Sequence, residues 1–260
     1  MKRILALTLA VMFLLVALVA CSDKTTDDGG SIDPVETNTN VYKVEGSEYN
    51  DQLYYDFVNG DEVTITGFAA SHEPHALVIP TTIADRPVTH IADNAFKHKV
   101  NLTAVTLPET ITWIGDTAFA ECSMLSAINF PTALTHIGVG AFADTAITAA
   151  VLSDNVHTVG KMAFYNCTKL VSVTLPAGLE TVAPQTFMNC TALTTVSGGA
   201  ALKTIENYAF MGCTVLGTMP FPATVEAIGD YAFAECNALA EPTLADGVTV
   251  GTNAFYKTIA

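Results

Sequence analysis

Eight phenylalanines, Phe96, Phe119, Phe142, Phe164, Phe187, Phe210, Phe233 and Phe255, recur at intervals of 23, 23, 22, 23, 23, 23 and 22 residues, and all but Phe187 follow an alanine. A period kept this closely over more than half of a chain leaves little choice of architecture. Each period must be one structural unit, and a unit this small can bury its apolar side only against the next. Around the phenylalanine the units read Leu-x-x-Val-x-Leu-Pro-x-x-Leu-x-x-Ile-Gly-x-x-Ala-Phe-x-x-Cys-x-x-Leu, most clearly from Val105 to Cys122. Alternation within a strand sends Val105 and Leu107 to one side and Thr106 to the other. Stacking then joins the strands into a parallel sheet over a continuous core.

A period of 20 to 29 residues with a strand in each unit is the leucine-rich-repeat pattern. The Ile-Gly-x-x-Ala-Phe-x-x-Cys and Val-x-Leu-Pro elements resemble the BspA-like class of that family, found on bacterial and some protist surfaces. The resemblance spans about residues 62–260 and includes an entry segment, Thr64 to Phe68 and Leu77 to Ile83. It implies an α/β fold: a leucine-rich repeat solenoid with a curved parallel sheet, short helical turns and a small β cap at the N-terminus. Asp93, Asp116, Asn207, Asp230 and Thr252, each three residues before a phenylalanine, are expected to cap the helical turns by accepting from the first amides. Ala183-Pro184 in place of Gly-Asp, Ser197-Gly198-Gly199 in place of Leu-Pro, and Pro242 predict local irregularity.

The first residues form an address. Lys2 and Arg3 precede a run, Ile4 to Ala20, that is apolar except for Thr8, and Leu18-Val19-Ala20 leads into Cys21. This is a secretory leader, and Leu-Val-Ala-Cys resembles a bacterial lipobox, which implies acylation of Cys21 and a lipid-anchored place in the cell envelope, at the outer membrane or cell surface. Residues 21–40 are acidic, hold Gly29, Gly30 and Pro34, and show no apolar period, as in a disordered tether. Residues 41–75 alternate apolar and polar, with Asn59-Gly60 between two such runs, which predicts a hairpin. The expected organisation is therefore signal peptide 1–20, tether 21–40, β cap 41–75 and an array of about eight units over 76–260.

Eleven basic residues against 26 acidic ones give a net charge of −15, or −17 once Lys2 and Arg3 leave with the leader. Without a basic stripe, nucleic acid is an unfavourable partner. Cys122, Cys167, Cys190, Cys213 and Cys236 each lie three residues after a repeat phenylalanine; one position shared by five units fits a small buried ladder of free thiols, with a single inter-rung disulfide the alternative in an oxidising space. No zinc spacing, metalloprotease helix, nucleophile elbow or phosphate loop occurs. No catalytic residue, cofactor or metal is expected, and the chain reads as a non-enzyme.

The outward strand positions, Ala76, Val78, Ala104, Thr106, Ala127, Asn129, Ala149, Val151, Ser172, Thr174, Thr195, Ser197, Thr218, Pro220, Glu241 and Thr243, include one ionisable group. A richer column precedes the isoleucine of each unit, where His90, Trp113 and His136 fall on successive rungs, Trp113 being the only tryptophan. Those three are the candidate binding residues; the alternative is that Trp113 merely covers an apolar edge. Resemblance to the BspA-like class implies an adhesive surface lipoprotein whose partner is a protein or glycan on host or neighbouring cells. The competing reading is a substrate-capturing lipoprotein or an accessory subunit of a glycan uptake system.

Overall fold

The computed structural model describes residues 40–45, 52–69, 75–240 and 242–259. The expected leader, Cys21, the tether up to residue 39, and Glu241 lie outside the described residues. Chain entry is antiparallel: β1 (Asn40–Lys43) pairs with β2 (Gln52–Val58), and β2 with β3 (Glu62–Ala69). At the Asn-Gly pair both residues are left-handed, with φ of 51° and 80°, and Asp61 N–H donates to the Val58 carbonyl at 3.2 Å, the two-residue turn whose twist suits a hairpin. After β3 the rungs pair in parallel, beginning with β6 (Arg86–Ile91), onto which the short β5 (Thr82–Ile83) folds back antiparallel. Leu53, Val63 and Ile65 are fully buried under this junction.

Each repeat is one turn of the chain and, up to Thr195–Gly198, carries two short strands, not one; beyond that the first strand is reduced to isolated bridges at Thr218 and Ala240. The Val-x-Leu segments form a first ladder in two groups: β4 (His75–Val78) with Leu102–Thr106 and Ala127–Ile128, then Ala149–Val151 with Ser172–Leu175 and Thr195–Gly198. The residues before each Gly-Asp corner form a second ladder, in which β6 is followed by Trp113–Ile114, His136–Ile137 and Thr158–Val159. It resumes with Thr181–Val182, Thr204–Ile205, Ala227–Ile228 and Thr249–Val250. The interruption coincides with Ala183-Pro184, where proline has no amide to donate. The prolines after the first ladder end strand pairing as expected, and their carbonyls start tight turns: Ile111, Leu134 and Leu179 N–H donate to Pro108, Pro131 and Pro176 at 3.1 to 3.2 Å.

The third side corrects the sequence-based expectation of short helical turns, for the described residues contain no helix. Around Phe96 the amides alternate between two kinds of partner. Asn94, Phe96 and His98 donate to Asp116, Ala118 and Ala120 of the next rung at 2.7 to 2.9 Å, whereas Ala95, Lys97 and Lys99 donate back to the carbonyl three residues earlier at 3.0 to 3.3 Å. A helix would direct every amide to the carbonyl four residues back. The alternation instead needs a left-handed residue two before and two after each phenylalanine, and 14 of those 16 positions hold a residue other than glycine, with φ between 51° and 63°. Such a residue costs about 1–2 kcal/mol relative to right-handed backbone, which the inter-rung hydrogen bonds offset. The fold is thus a parallel β-solenoid of leucine-rich-repeat type.

The expected caps are corrected in the same way. Asp93 Oδ1 accepts from Asp116 N–H at 2.7 Å, Asp116 Oδ1 from Val139 at 2.7 Å, Asn207 Oδ1 from Asp230 at 2.8 Å and Asp230 Oδ1 from Thr252 at 2.6 Å. Each side chain reaches one rung forward and serves the stack, not its own turn. The glycine beside it is needed because the rungs nearly touch there: a Cβ on Gly115 would lie 2.4 Å from Asp93 Oδ1 and 2.6 Å from Asp93 N.

Inside, the repeat phenylalanines form one unbroken column. Successive rings are parallel to within 13°, with centroids 4.8 to 5.4 Å apart from Phe96 to Phe255, and the first seven are fully buried. Each contributes roughly 2–3 kcal/mol by removal from water. The five cysteines beside them are free and buried. They do more than fill space, because each thiol donates to the phenylalanine carbonyl of the preceding rung, Cys122 to Phe96 at 3.0 Å and Cys236 to Phe210 at 3.1 Å among them. In the first 22-residue unit Thr145 takes the cysteine's place, bonds its own Phe142 carbonyl at 2.9 Å and lies 3.3 Å from Cys167 Sγ.

Two predictions follow from this packing. Gly115→Ala will lower stability by about 1–3 kcal/mol through overpacking, seen as a lower urea midpoint at unchanged slope. Burial pushes the Cys122 and Cys167 thiols from 9.0 up to about 12, and those of Cys190 and Cys213 well above 9.0. The folded values exceed the unfolded ones, so this contribution to stability is complete below pH 9 and is lost as pH rises from 9 towards 12. Native protein will resist iodoacetamide at pH 8 while unfolded protein reacts; rapid native labelling would contradict the burial.

Candidate functional site

The first-ladder face is chemically quiet, and much of its polarity is already used by the stack. Asn129 spans the strand edge, accepting from Leu107 N–H at 2.7 Å and donating to the Leu107 carbonyl at 2.8 Å. Thr103, Ser126 and Thr194 donate to the carbonyls of His75, Thr103 and Val171 on the preceding rung at 2.9 to 3.2 Å. A shallow cavity of about 370 Å³ lies where the first ladder divides, lined by Ala104 to Thr106, Ser126 to Asn129, Thr148 and Ala149. No ionisable side chain lines it, so its Ser126, Thr106 and Thr148 hydroxyls have no base to activate them and no acid–base pair is present.

The second ladder brings the three sequence-predicted residues together. His90, Trp113 and His136 are Cα partners in register, with Thr64 before them and Thr158 after. Trp113 and His136 stack with centroids 3.5 Å apart and planes 9° apart, while His90 stands 6.4 Å from Trp113 at 28°. Because the rings stack along the solenoid axis, a face of Trp113 is covered by His136 and the ring edges point outward; Trp113 is 41% exposed. The column offers hydrogen-bonding edges and a broad contact area, not an open ring face on which a sugar could stack.

Three carboxylates surround the column, and the sequence pattern did not single them out as neighbours. Glu62 lies in the antiparallel entry, outside the repeat phase; its Oε2 accepts from the Thr89 hydroxyl at 2.8 Å and lies 3.7 Å from His90 Nδ1. The same hydroxyl is 2.8 Å from His90 Nδ1, which holds the ring in place. Asp93 and Asp116, on the corner beside the ladder, act electrostatically on His136. Desolvation outweighs their attraction, and the His136 pKa is lowered from its ordinary 6.5. Among the described residues no group of three His, Cys, Asp or Glu side chains is placed to hold a metal.

Comparison with known proteins agrees with this geometry. The family described as the BspA type leucine-rich repeat region matches residues 89–214 and 135–260, in six copies. A leucine-rich repeat protein from T. pallidum is similar at 26% identity with a TM-score of 0.68, over 77% of this chain and 92% of its own. One from Bacteroides ovatus matches at 27% identity and 0.60, over 78% of this chain and 61% of its own. A leucine-rich cell surface protein from Faecalibacterium prausnitzii matches at 30% and 0.61, over 77% of this chain and 53% of its own. The chain thus spans a little over half of the last two relatives. No curated protein sequence matches the chain.

The sole tryptophan gives a direct readout of the column. Protonation of His136 against the indole will quench Trp113 fluorescence with a midpoint below pH 6.5, and the transition will vanish in His136→Gln. With the folded pKa lowered, stability from this residue is present above pH 6.5 and is lost as pH falls through the folded value. A quenching midpoint above 6.5 would show that the carboxylates dominate instead.

Proposed function

The chain belongs to the BspA-type leucine-rich repeat family, and from that membership we propose that it is a non-catalytic, lipid-anchored surface module that binds a protein or glycan on host or neighbouring cells. The observation that supports this most is the use of polar groups. Carboxylates, hydroxyls and thiols along the repeats are committed to the adjacent rung, as with Asp93, Thr103 and Cys122, and what stays exposed suits contact better than chemistry. The F. prausnitzii relative is described as a cell surface protein, which fits the leader and Cys21. In this reading the His90, Trp113 and His136 edge supplies one anchor, since an indole is a frequent hot spot, and the two or more acyl chains carried by Cys21 hold the protein durably.

The competing role in glycan capture draws on the same tryptophan, but the covered ring face speaks against a stacking platform. Two measurements test the proposal. Cells making the full chain will incorporate labelled palmitate into this protein, and Cys21→Ser will abolish it. The mature array, immobilised and screened against purified matrix proteins and oligosaccharides, will bind a macromolecule, with affinity reduced about tenfold or more by Trp113→Ala. Absence of label, or turnover of a substrate by the purified array, would overturn the reading.

A further inference from the structure

The corner that follows the second ladder gives one side chain per rung the same local task. Asp93, Asp116, Asn207 and Asp230 each offer Oδ1 to an amide of the following rung at 2.6 to 2.8 Å. The asparagine performs this as the aspartates do, so the hydrogen bond does not need the charge. Asp93 and Asp116 are nonetheless carboxylates on adjacent rungs, about 5 Å apart along the axis, where like charges repel. No other two adjacent rungs both carry an acid in that column. A local cost kept where asparagine would serve points to a role outside folding.

The ring column of Trp113 lies beside this pair, and a third carboxylate stands at its entry end. Glu62 is 45% exposed and lies 3.7 Å from His90 Nδ1. Each of the three carboxylates has one oxygen engaged, by the Thr89 hydroxyl or by a backbone amide. Among the described residues their second oxygens accept no hydrogen bond, and no lysine or arginine pairs with them. Elsewhere the array pairs acids across rungs, as Glu121 with Lys97 at 3.9 Å, Glu180 with Lys203 at 2.7 Å and Glu235 with Lys257 at 2.8 Å. The cations of the same rungs are occupied or distant. Arg86 lies over the Phe57 ring at 4.7 Å and donates through Nε to the Gly60 carbonyl. Lys97 is held by Glu121, and Lys99 acts on Cys122. Lys161 shares the corner column but stands two rungs beyond Asp116, roughly 10 Å away. Among the described residues the charges that act on His136 are those of Asp116 and Asp93. The field at this edge is negative from its own neighbours, independently of the charge of the whole chain.

A metal ion would need these oxygens gathered in one shell, and the described residues hold no such group. A long cationic side chain fits their spread. Arginine carries an apolar stem that can lie along the exposed edge of Trp113, and a planar fork of donors that can serve more than one carboxylate. We propose that the edge around Trp113 receives an exposed arginine of a protein partner, its stem along the indole and its guanidinium facing Glu62, Asp93 and Asp116. This deepens the reading of that edge as a contact anchor and rests on it.

Because Trp113 is the only tryptophan, its fluorescence reports this edge alone. The mature chain is titrated with a short glycine–serine peptide bearing arginines, and with counterparts bearing citrulline or lysine in their place. The control variant carries Glu62→Gln, Asp93→Asn and Asp116→Asn, in which the acceptors for Thr89 and for the two amides remain. The arginine peptide will change the fluorescence saturably and bind more weakly as salt rises. Citrulline will give no response, lysine a weaker one, and the variant will lose about tenfold or more in affinity while unfolding at the parent's urea midpoint. A citrulline or lysine peptide that binds as well as the arginine one would overturn the inference, as would a response that survives in the variant. So would a lower midpoint, which would make the charges structural. If the arginine peptide is silent while a macromolecule from the screen still depends on Trp113, the anchor stands and its arginine does not. Silence towards both the peptides and the screen would sink both.

Discussion

The hydrogen bond from one rung's backbone to the next, at a spacing of about 5 Å, is the constraint from which the other features follow. On both ladders and on the phenylalanine turn the chain meets its neighbour at the same short distance. Gly115 has room for no side chain because the Asp93 backbone is already there. The phenylalanine rings stack at 4.8 to 5.4 Å because their Cα atoms are spaced by the ladders. The Asp93 and Asp116 carboxylates each reach an amide of the following rung for the same reason. Were the rungs wider apart, none of these contacts would form.

That constraint divides the molecule's residues by duty. Inward columns repeat because every rung poses the same packing problem, and a solenoid's stability is close to a sum of rung and nearest-neighbour terms. Outward columns are free of it. Where they vary, as in His90, Trp113 and His136, the variation is where function can reside. The repeat mark that makes the family recognisable therefore says least about the partner.

The candidate site was only partly legible in the sequence. The Trp113 column could be found by counting, since equal offsets from the repeat phenylalanine place His90, Trp113 and His136 side by side, and the register pairs them so. What counting could not show was that His136 lies stacked on one face of Trp113, or that Glu62, from the entry hairpin, stands beside His90.

By itself the sequence determined the period, the inward phenylalanines and cysteines, the entry hairpin at Asn59-Gly60 and the site of irregularity at Ala183-Pro184. These are matters of composition at fixed intervals, and local alternation decides which side chains are buried. Only the tertiary structure decided the shape of the turn, the existence of the second ladder and the forward reach of the aspartates. Each of those depends on whether an amide bonds within its own unit or to the next. Local sequence permits both, and the adjacent rung, by placing a carbonyl at 2.7 to 2.9 Å from Asn94, Phe96 and His98, settles the choice.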